Sequence, residues 1–223
     1  MDTVVTALPL HLVVRTLEED IVLGYLHPRE RLIETDLMNR FGILRHTART
    51  ALARLVQLGL VEHRKNVGAC VRSFSHREVM ELYEMRELLE CEALSRMQCP
   101  ARTEDIATLT AMQQAHDQAV EQRDARQVFR ANMAFHTTLF ALCPNKVLVE
   151  AIRNYAVQTH AIRSSLARLD HAQDKARAEH HAMIQALAQG NRTELLRLGK
   201  QHLTPSRDEY LATNKAYMHS FTG

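Results

Sequence analysis

Three amphipathic stretches open the chain, and two short apolar runs follow them. Apolar residues recur at helical spacing in each stretch, which predicts helices at 10–26, 36–41 and 45–58. Thr35 is suited to cap the second helix, and Gly42 and Gly59 are suited to end the second and the third. The beginning of the chain is therefore predicted to hold three helices joined by short turns.

The two apolar runs, 60–64 and 69–72, are β-prone and are separated by Lys65-Asn66-Val67-Gly68. Asn and Gly between two such runs indicate a hairpin. Three helices and a hairpin within about 65 residues are typical of a winged helix-turn-helix. In that fold the third helix enters the DNA major groove and the hairpin tip reaches the flanking backbone or minor groove.

The remainder of the chain has helical periodicity almost without interruption. Ser75 and Glu78 fit a capping box at the beginning of its first helix. We predict helices at 76–98, 103–121, 124–142, 145–169, 172–189 and 192–203, with Pro205 ending or restarting the last. Connections this short favour antiparallel neighbours. The expected fold is mostly α, with a winged helix-turn-helix unit over 1–73 and an all-α antiparallel helical bundle over 74–223.

Composition narrows the class of protein further. The 223 residues include only 7 Gly and 5 Pro, and no apolar run approaches the length of a transmembrane helix. The first residues lack the basic region of a signal peptide, so we expect a soluble cytoplasmic protein without a membrane partner. Four irregularly spaced cysteines without a C-x-x-C pair favour free thiols in a reducing compartment.

Charge is distributed unevenly along the chain. Residues 27–72 hold nine Arg or Lys and four Asp or Glu, whereas residues 73–223 hold 18 of each sign. A basic segment joined to a neutral helical body indicates a nucleic-acid contact made by one end only.

The residues expected to touch DNA lie on the third helix and the hairpin. Backbone N–H groups and the positive helix end favour phosphate at the beginning of the third helix, and an arginine there can also bind guanine bidentately. We assign DNA contact to Arg45, His46, Thr47 and Arg49, together with Arg31, Asn66 and Gly68.

Histidines in the second unit form the other candidate site. Asn132 and His136 share one helix face, while His180 and His202 lie on later helices of the bundle. Inward residues from three helices can meet, and three imidazoles with an amide oxygen suit Zn²⁺, Ni²⁺ or a similar ion. With 13 histidines in the chain, however, the same residues also fit the interpretation of polar core side chains.

Residues 10–72 resemble the DNA-binding domain of GntR-type bacterial transcription regulators. The resemblance rests on Arg31-Leu32, Glu34, Leu37, Phe41-Gly42-Ile43, Arg45, Arg49, Ala51-Leu52, Leu55 and Gly59-Leu60-Val61, followed by Gly68 and Val71. Four positions depart from the family pattern: Arg29 replaces a Gly, Leu44 replaces a Ser, and Thr47-Ala48 replace Pro-Val. Loss of the Ser removes a helix cap worth about 1 kcal/mol.

Residues 76–205 resemble the FCD effector domain of the FadR subgroup within that family. The matching pieces are Leu82-Tyr83-Glu84-Met85-Arg86-Glu87-Leu88-Leu89-Glu90, Phe135-His136, Asn145, Leu148, Glu179-His180 and His202-Leu203. The resemblance implies a divalent metal, Zn²⁺ first and Ni²⁺ or Mn²⁺ next, on Asn132, His136, His180 and His202. His181 is interpreted as peripheral, and the remaining histidines as surface or satisfied side chains: His11, His27, His63, His76, His116, His160, His171 and His219.

Asn132 has a consequence for charge at such a site. Asn with three neutral His leaves a divalent ion its full charge, so we expect weaker metal binding and stronger attraction of an anionic effector than with Asp. An organic acid would then bind in the bundle, with Arg86 as its second anchor. The alternative for Arg86 is an ion pair with a glutamate.

Together these features predict a ligand-responsive transcription regulator, a repressor, and not an enzyme. It would act as a homodimer on a roughly palindromic double-stranded operator and respond to a small carboxylate effector. Two alternatives stay open. One is a metal-dependent hydrolase with Glu179 as the general base, and the other is a DNA-binding dimer whose bundle holds no effector.

Overall fold

The computed structural model describes residues 8–165 and 170–213. The chain divides into two compact units, Met1–Ser73 and Phe74–Gly223. The mostly helical fold with a small two-stranded wing confirms the predicted fold class.

The first unit has three helices and a hairpin, namely α1 (Leu10–Val22), α2 (Glu34–Phe41), α3 (Arg45–Gln57), β1 (Val61–Arg64) and β2 (Gly68–Val71). The strands are antiparallel, and their register runs from Val61 opposite Val71 to Arg64 opposite Gly68. An extended segment before α2 joins the hairpin, because the Leu32 N–H donates to the Ala69 carbonyl over 2.8 Å.

Two predicted boundaries in this unit are wrong. The first helix ends at Val22 and not at 26, because Gly24 takes the left-handed conformation with φ of 69°. The second helix begins at Glu34, two residues ahead of the prediction, and Ile33 rather than Thr35 is its N-cap. The extended segment that pairs with β2 delivers Ile33 in the extended conformation that a cap requires.

The second unit consists of helices α4 (His76–Arg96), α5 (Thr103–Glu121), α6 (Ala125–Ala141), α7 (Lys146–Gln158), α8 (Asp170–Ala188) and α9 (Arg192–Thr213), with a 3-10 segment at Ile162–Ser165. The predicted capping box is confirmed: the Ser75 hydroxyl accepts from the Glu78 N–H, and the Glu78 carboxylate accepts from the Ser75 N–H.

The core of the second unit is a continuous apolar cluster. Helix α5 packs between α6 and α8, and α4 packs against α7 and α9. Phe135, Leu139 and Leu187 are almost inaccessible to solvent. Gly199 allows α9 to approach α4 closely, since a Cβ there would lie 2.4 Å from Leu94 Cδ1. The four cysteines are free, as predicted.

The predicted helix over 145–169 is wrong in its second half. Helix α7 ends at Gln158, and Thr159 is its C-cap. The Thr159 hydroxyl donates to the Ala156 carbonyl and accepts from Arg86, so a buried tertiary contact stabilises this end. Positions 166–169 of the prediction lie outside the described residues.

The predicted stop at Pro205 is also wrong, because α9 continues through it to Thr213. Tertiary contacts beyond the proline outweigh the lost backbone hydrogen bond. The Ser206 hydroxyl lies 2.8 Å from the Tyr83 hydroxyl, and the Tyr210 hydroxyl accepts from the Phe74 N–H.

Within the described ranges, none of the helices has the length and apolar character needed to cross a bilayer.

Candidate functional site

Helix α3 presents its predicted DNA-contact residues at its first two turns. Arg45, His46 and Arg49 are exposed, and Thr47 is partly buried with its hydroxyl 3.3 Å from His46 Nε2. Leu44 is the N-cap and makes no side-chain cap hydrogen bond, as its replacement of Ser predicts. The amides at the beginning of α3 therefore have no capping side chain.

The hairpin tip lies between β1 and β2. Asn66 has φ of 64° and Gly68 has φ of 98°, so both residues take the left-handed backbone that a tight reversal requires. Arg31 lies on the neighbouring extended segment, where its backbone pairs with Cys70 of β2 in an isolated antiparallel β-bridge. All three residues, Arg31, Asn66 and Gly68, are exposed.

In the second unit, three of the predicted metal ligands come together. His136 of α6, His180 of α8 and His202 of α9 have candidate ligand nitrogens that all lie within 4.8 Å of one another. The Nε2 atoms of His136 and His202 are 3.1 Å apart. Three separate helices thus direct imidazole nitrogens to one point.

A hydrogen-bond chain fixes the orientation of His180. The Gln113 Nε2 donates to Asp117 Oδ1 over 2.7 Å, which places Gln113 Oε1 2.8 Å from His180 Nδ1. An amide oxygen only accepts, so His180 carries its proton on Nδ1 and a lone pair on Nε2. That Nε2 is buried and has no hydrogen-bond partner among the residues described.

His202 has an equivalent partner on α8. Its Nδ1 lies 2.7 Å from Glu179 Oε2, and both side chains are more than nine-tenths buried. Lys175 Nζ lies 3.8 Å from the other oxygen of Glu179. A carboxylate behind a ligand imidazole fixes the ring and raises its basicity, as metal sites commonly require.

Burial keeps the imidazoles of His136 and His180 in the neutral form that binds metal. It lowers the pKa of His136 and His180 well below the ordinary value, and the neighbouring His202 adds to the effect. Burial also lowers the pKa of His116 to about 4. Neutral imidazole is the ligand form, so the cluster fits a borderline divalent cation at neutral pH.

Asn132 lies one turn before His136 on α6 and is partly buried. His181 lies outside the cluster, where its exposed ring pairs with Asp117 at 3.0 Å. Of the two interpretations given for His116, a surface or a satisfied side chain, the structure agrees with the second. This residue is 1% exposed, its Nδ1 lies 3.5 Å from Gln113 Nε2, and its ring centroid lies 5.1 Å from that of His180.

Arg86 is buried and already paired. Its Nε and Nη2 each lie 2.8 Å from Glu90 Oε1, and its Nη1 donates to Thr159 over 3.1 Å. The second guanidinium in this region is Arg163, whose Nη1 lies 3.8 Å from the Met133 sulphur. Burial and the positive charge of Arg86 lower the pKa of Arg163 to about 10.

Sequence reasoning missed three residues that support the cluster. Gln113, His116 and Arg163 carry no motif of their own. A weak signal exists for two of them, since Leu109, Gln113 and His116 form a stripe at helical spacing that is buried along α5. Polar residues inside a buried stripe indicate an internal hydrogen-bond network.

The fold and the two sites define a class of protein, in which a winged-helix DNA-binding unit is joined to a helical unit that contains a cluster of potential metal-ligand histidines. Residues 11–71 match the bacterial regulatory proteins of the gntR family, and residues 81–205 match the FCD domain. The chain belongs to the GntR family of transcription regulators that carry an FCD domain. Members of this family are DNA-binding regulators rather than enzymes.

Individual relatives agree with this assignment. The HTH-type transcriptional regulator YdhC of Bacillus subtilis is 25% identical over 188 residues, which cover 84% of this chain and 82% of YdhC. The HTH-type transcriptional repressor RspR of Escherichia coli is 26% identical over 151 residues, covering 67% of this chain and 65% of RspR. A GntR regulator structure from Rhodococcus sp. RHA1 has a TM-score of 0.75 and 25% identity, covering 91% and 97% of the two chains.

Proposed function

We propose that the protein is a cytoplasmic, ligand-responsive repressor whose bundle binds a divalent metal and a small organic acid. The observation that carries the metal proposal is the buried His180 Nε2, which faces two other imidazoles and has no hydrogen-bond partner in the described part of the chain. A buried lone pair left in this way is costly unless a ligand satisfies it.

His136, His180 and His202 would hold the metal, with Asn132 as the fourth protein ligand and Zn²⁺, Ni²⁺ or Mn²⁺ as candidate ions. The bound cation would supply positive charge to anchor a carboxylate. Among the causes that lower the pKa of His136, after burial and His202, are the charges of Arg163 and Arg86. The charge of Arg163 favours an anionic ligand near His136. Arg86 remains the proposed second anchor, and an acid that binds there would share its guanidinium with Glu90.

The proposed operator contact uses α3 in the major groove and the hairpin tip beside it. One such helix reads only a few base pairs, so a homodimer on a roughly palindromic site would supply specificity. Helix α4 exposes the apolar side chains of Met80, Met85 and Leu88 (37 to 59% exposed), which a second copy would cover. The Escherichia coli relative RspR is a transcriptional repressor, which supports repression over activation.

The metal proposal is tested on gently purified protein by mass spectrometry of metal content and by thermal melts before and after chelation. We expect a stoichiometric metal whose removal lowers the melting temperature. His202→Gln should lose the metal, whereas His181→Ala, which changes the exposed neighbour of His180, should retain it. Protein that lacks metal and does not respond to added Zn²⁺, Ni²⁺ or Mn²⁺ would contradict the proposal.

The effector proposal is tested with a panel of hydroxy acids, dicarboxylates, sugar acids and aromatic acids. An effector should raise the melting temperature of metal-loaded protein and leave chelated protein unchanged. It should also change the affinity for a DNA duplex in fluorescence anisotropy. If no acid changes either quantity, the bundle serves dimerisation alone, and sedimentation of the intact protein would still report the dimer.

A further inference from the structure

Glu34, the first residue of α2, lies between the two arginines expected to contact DNA. Its Oε1 accepts from Arg49 Nε over 2.9 Å, and its Oε2 lies 3.9 Å from Arg45 Nε. Its side chain is 32% exposed, and the arginine side chains are 60 and 64% exposed. One carboxylate therefore faces both guanidinium groups at the surface of the proposed DNA contact.

Arg45 and Arg49 are four residues apart on α3 and point to the same side of the helix. Two like charges at this spacing repel each other and would drive the side chains apart. The negative charge of Glu34 offsets that repulsion and holds both side chains on a common face. The contact with Arg49 is a hydrogen bond, and the contact with Arg45 is a longer ion pair.

The contacts with Glu34 determine which guanidinium nitrogens of Arg45 and Arg49 remain available to DNA. It approaches each arginine at Nε, and within residues 8–165 and 170–213 no hydrogen bond to protein engages the Nη atoms of either one. The two Nη atoms of a guanidinium form the end-on fork that can bind guanine O6 and N7 together. A side-on approach through Nε is blocked at Arg49, whose Nε already donates to Glu34.

We propose that Glu34 is a positioning residue that sets Arg45 and Arg49 end-on for base recognition and thereby favours sequence discrimination over general DNA affinity. This rests on the proposed function, in which α3 contacts DNA. Glu34 places a negative charge close to the phosphates and lowers affinity for every sequence. It also restricts the arginines to the geometry that reads a base edge, so the correct sequence loses less affinity than the others.

The test compares Glu34→Ala with Asp36→Ala, which removes an exposed carboxylate from the same turn of α2. Asp36 forms no ion pair within the described ranges. The probes are a duplex enriched by the wild-type protein from a randomised pool and a scrambled duplex of the same composition. Affinities are measured by fluorescence anisotropy at several salt concentrations, with circular dichroism to verify folding.

Removing one negative charge should tighten binding of both variants to the scrambled duplex about two- to fivefold at low salt. Only Glu34→Ala should lower the ratio of enriched to scrambled affinity, by about tenfold, since one bidentate base contact has that magnitude. Equal ratios for the two variants would overturn the positioning role and leave only a charge effect.

The Arg49→Ala variant distinguishes a failure of the inference about Glu34 from a failure of the proposed DNA contact through α3. If this variant weakens binding to the enriched duplex while the Glu34→Ala and Asp36→Ala ratios agree, α3 contacts DNA and the inference about Glu34 is wrong. If Arg49→Ala binds as the wild type does, the proposed contact through α3 is itself wrong.

Discussion

The Nδ1 atom of His202 lies 2.7 Å from the Oε2 atom of Glu179, and both residues are almost fully buried. His202 comes from α9 and Glu179 from α8, so the contact joins two helices behind the imidazole cluster. Gln113 of α5 has the corresponding place behind His180. Two of the three imidazoles are thus oriented by side chains that are not themselves proposed ligands.

Glu179→Gln should weaken metal binding about ten- to hundredfold, because an amide raises the basicity of the imidazole less than a carboxylate does. Competition with a coloured chelator measures this affinity. The control is Glu92→Gln, which changes an exposed carboxylate paired with Arg96 on α4. Equal metal affinities in wild type and Glu179→Gln would show that this contact serves packing only.

Asn132→Asp should bind the metal more tightly and an acid effector more weakly, because a carboxylate reduces the net charge of the site. Metal affinity by chelator competition and acid affinity by calorimetry on the loaded protein provide the two readouts. Unchanged affinities for both would exclude Asn132 as a ligand.

The stability of the chelated protein should fall as the pH drops from 6.5 towards 4. Folded His116 has a pKa of about 4 against an ordinary 6.5, so the unfolded chain takes up a proton in this window and the native protein does not. Buried His136 and His180 act in the same direction.

His116→Gln isolates the share of His116 in this effect. Urea denaturation measures the free energy of unfolding of both proteins. Between pH 7.5 and pH 4, the wild type should lose about 3 kcal/mol more of this free energy than the variant does. A difference that stays constant over this range would rule out a neutral buried His116.

Glu90→Gln should destabilise the protein by about 3–5 kcal/mol, because it leaves the buried charge of Arg86 without its partner. Replacing both residues by methionine should be less damaging than Glu90→Gln, since no buried charge then remains. Urea denaturation of the single and double variants provides the comparison. A double variant that is less stable than Glu90→Gln would contradict this account.

Leu44→Ser should stabilise the protein by about 1 kcal/mol, because a serine at the N-cap of α3 can accept from an amide that now lacks a capping side chain. Leu44 is 66% exposed, so little packing is lost. Thermal melts measure the change, with Leu44→Ala as the control that removes the leucine without supplying a cap. Equal melting temperatures for the two variants would exclude capping as the cause.

Features set by local chemistry were predictable from the sequence. The glycine at the end of α2 and the capping box at Ser75 depend on residues within one or two turns, and both are present in the structure. The spacing of His136, His180 and His202 suggested a meeting point because helical periodicity assigns each residue to a helix face. Their convergence depended on how three helices pack, which the resemblance to a known family anticipated.

Features set by distant partners were not predictable in this way. Pro205 ends an isolated helix, but the contacts of Ser206 and Tyr210 with residues more than 100 positions earlier maintain α9. The roles of Gln113 and Arg163 likewise depend on the side chains that pack against them. The helical stripe along α5 gives a weak signal for Gln113, whereas no local pattern distinguishes Arg163 from an ordinary surface polar group.

The uninterrupted course of α9 has a mechanical consequence. His202 and Tyr210 are eight residues apart on this one helix, or about 12 Å along its axis. Tyr210 binds the backbone of Phe74, the residue at which the chain enters the second unit. About two turns of continuous helix therefore connect the imidazole cluster to Phe74, the first residue of the second unit, so a displacement of α9 at His202 would reach Phe74 without passing through any loop.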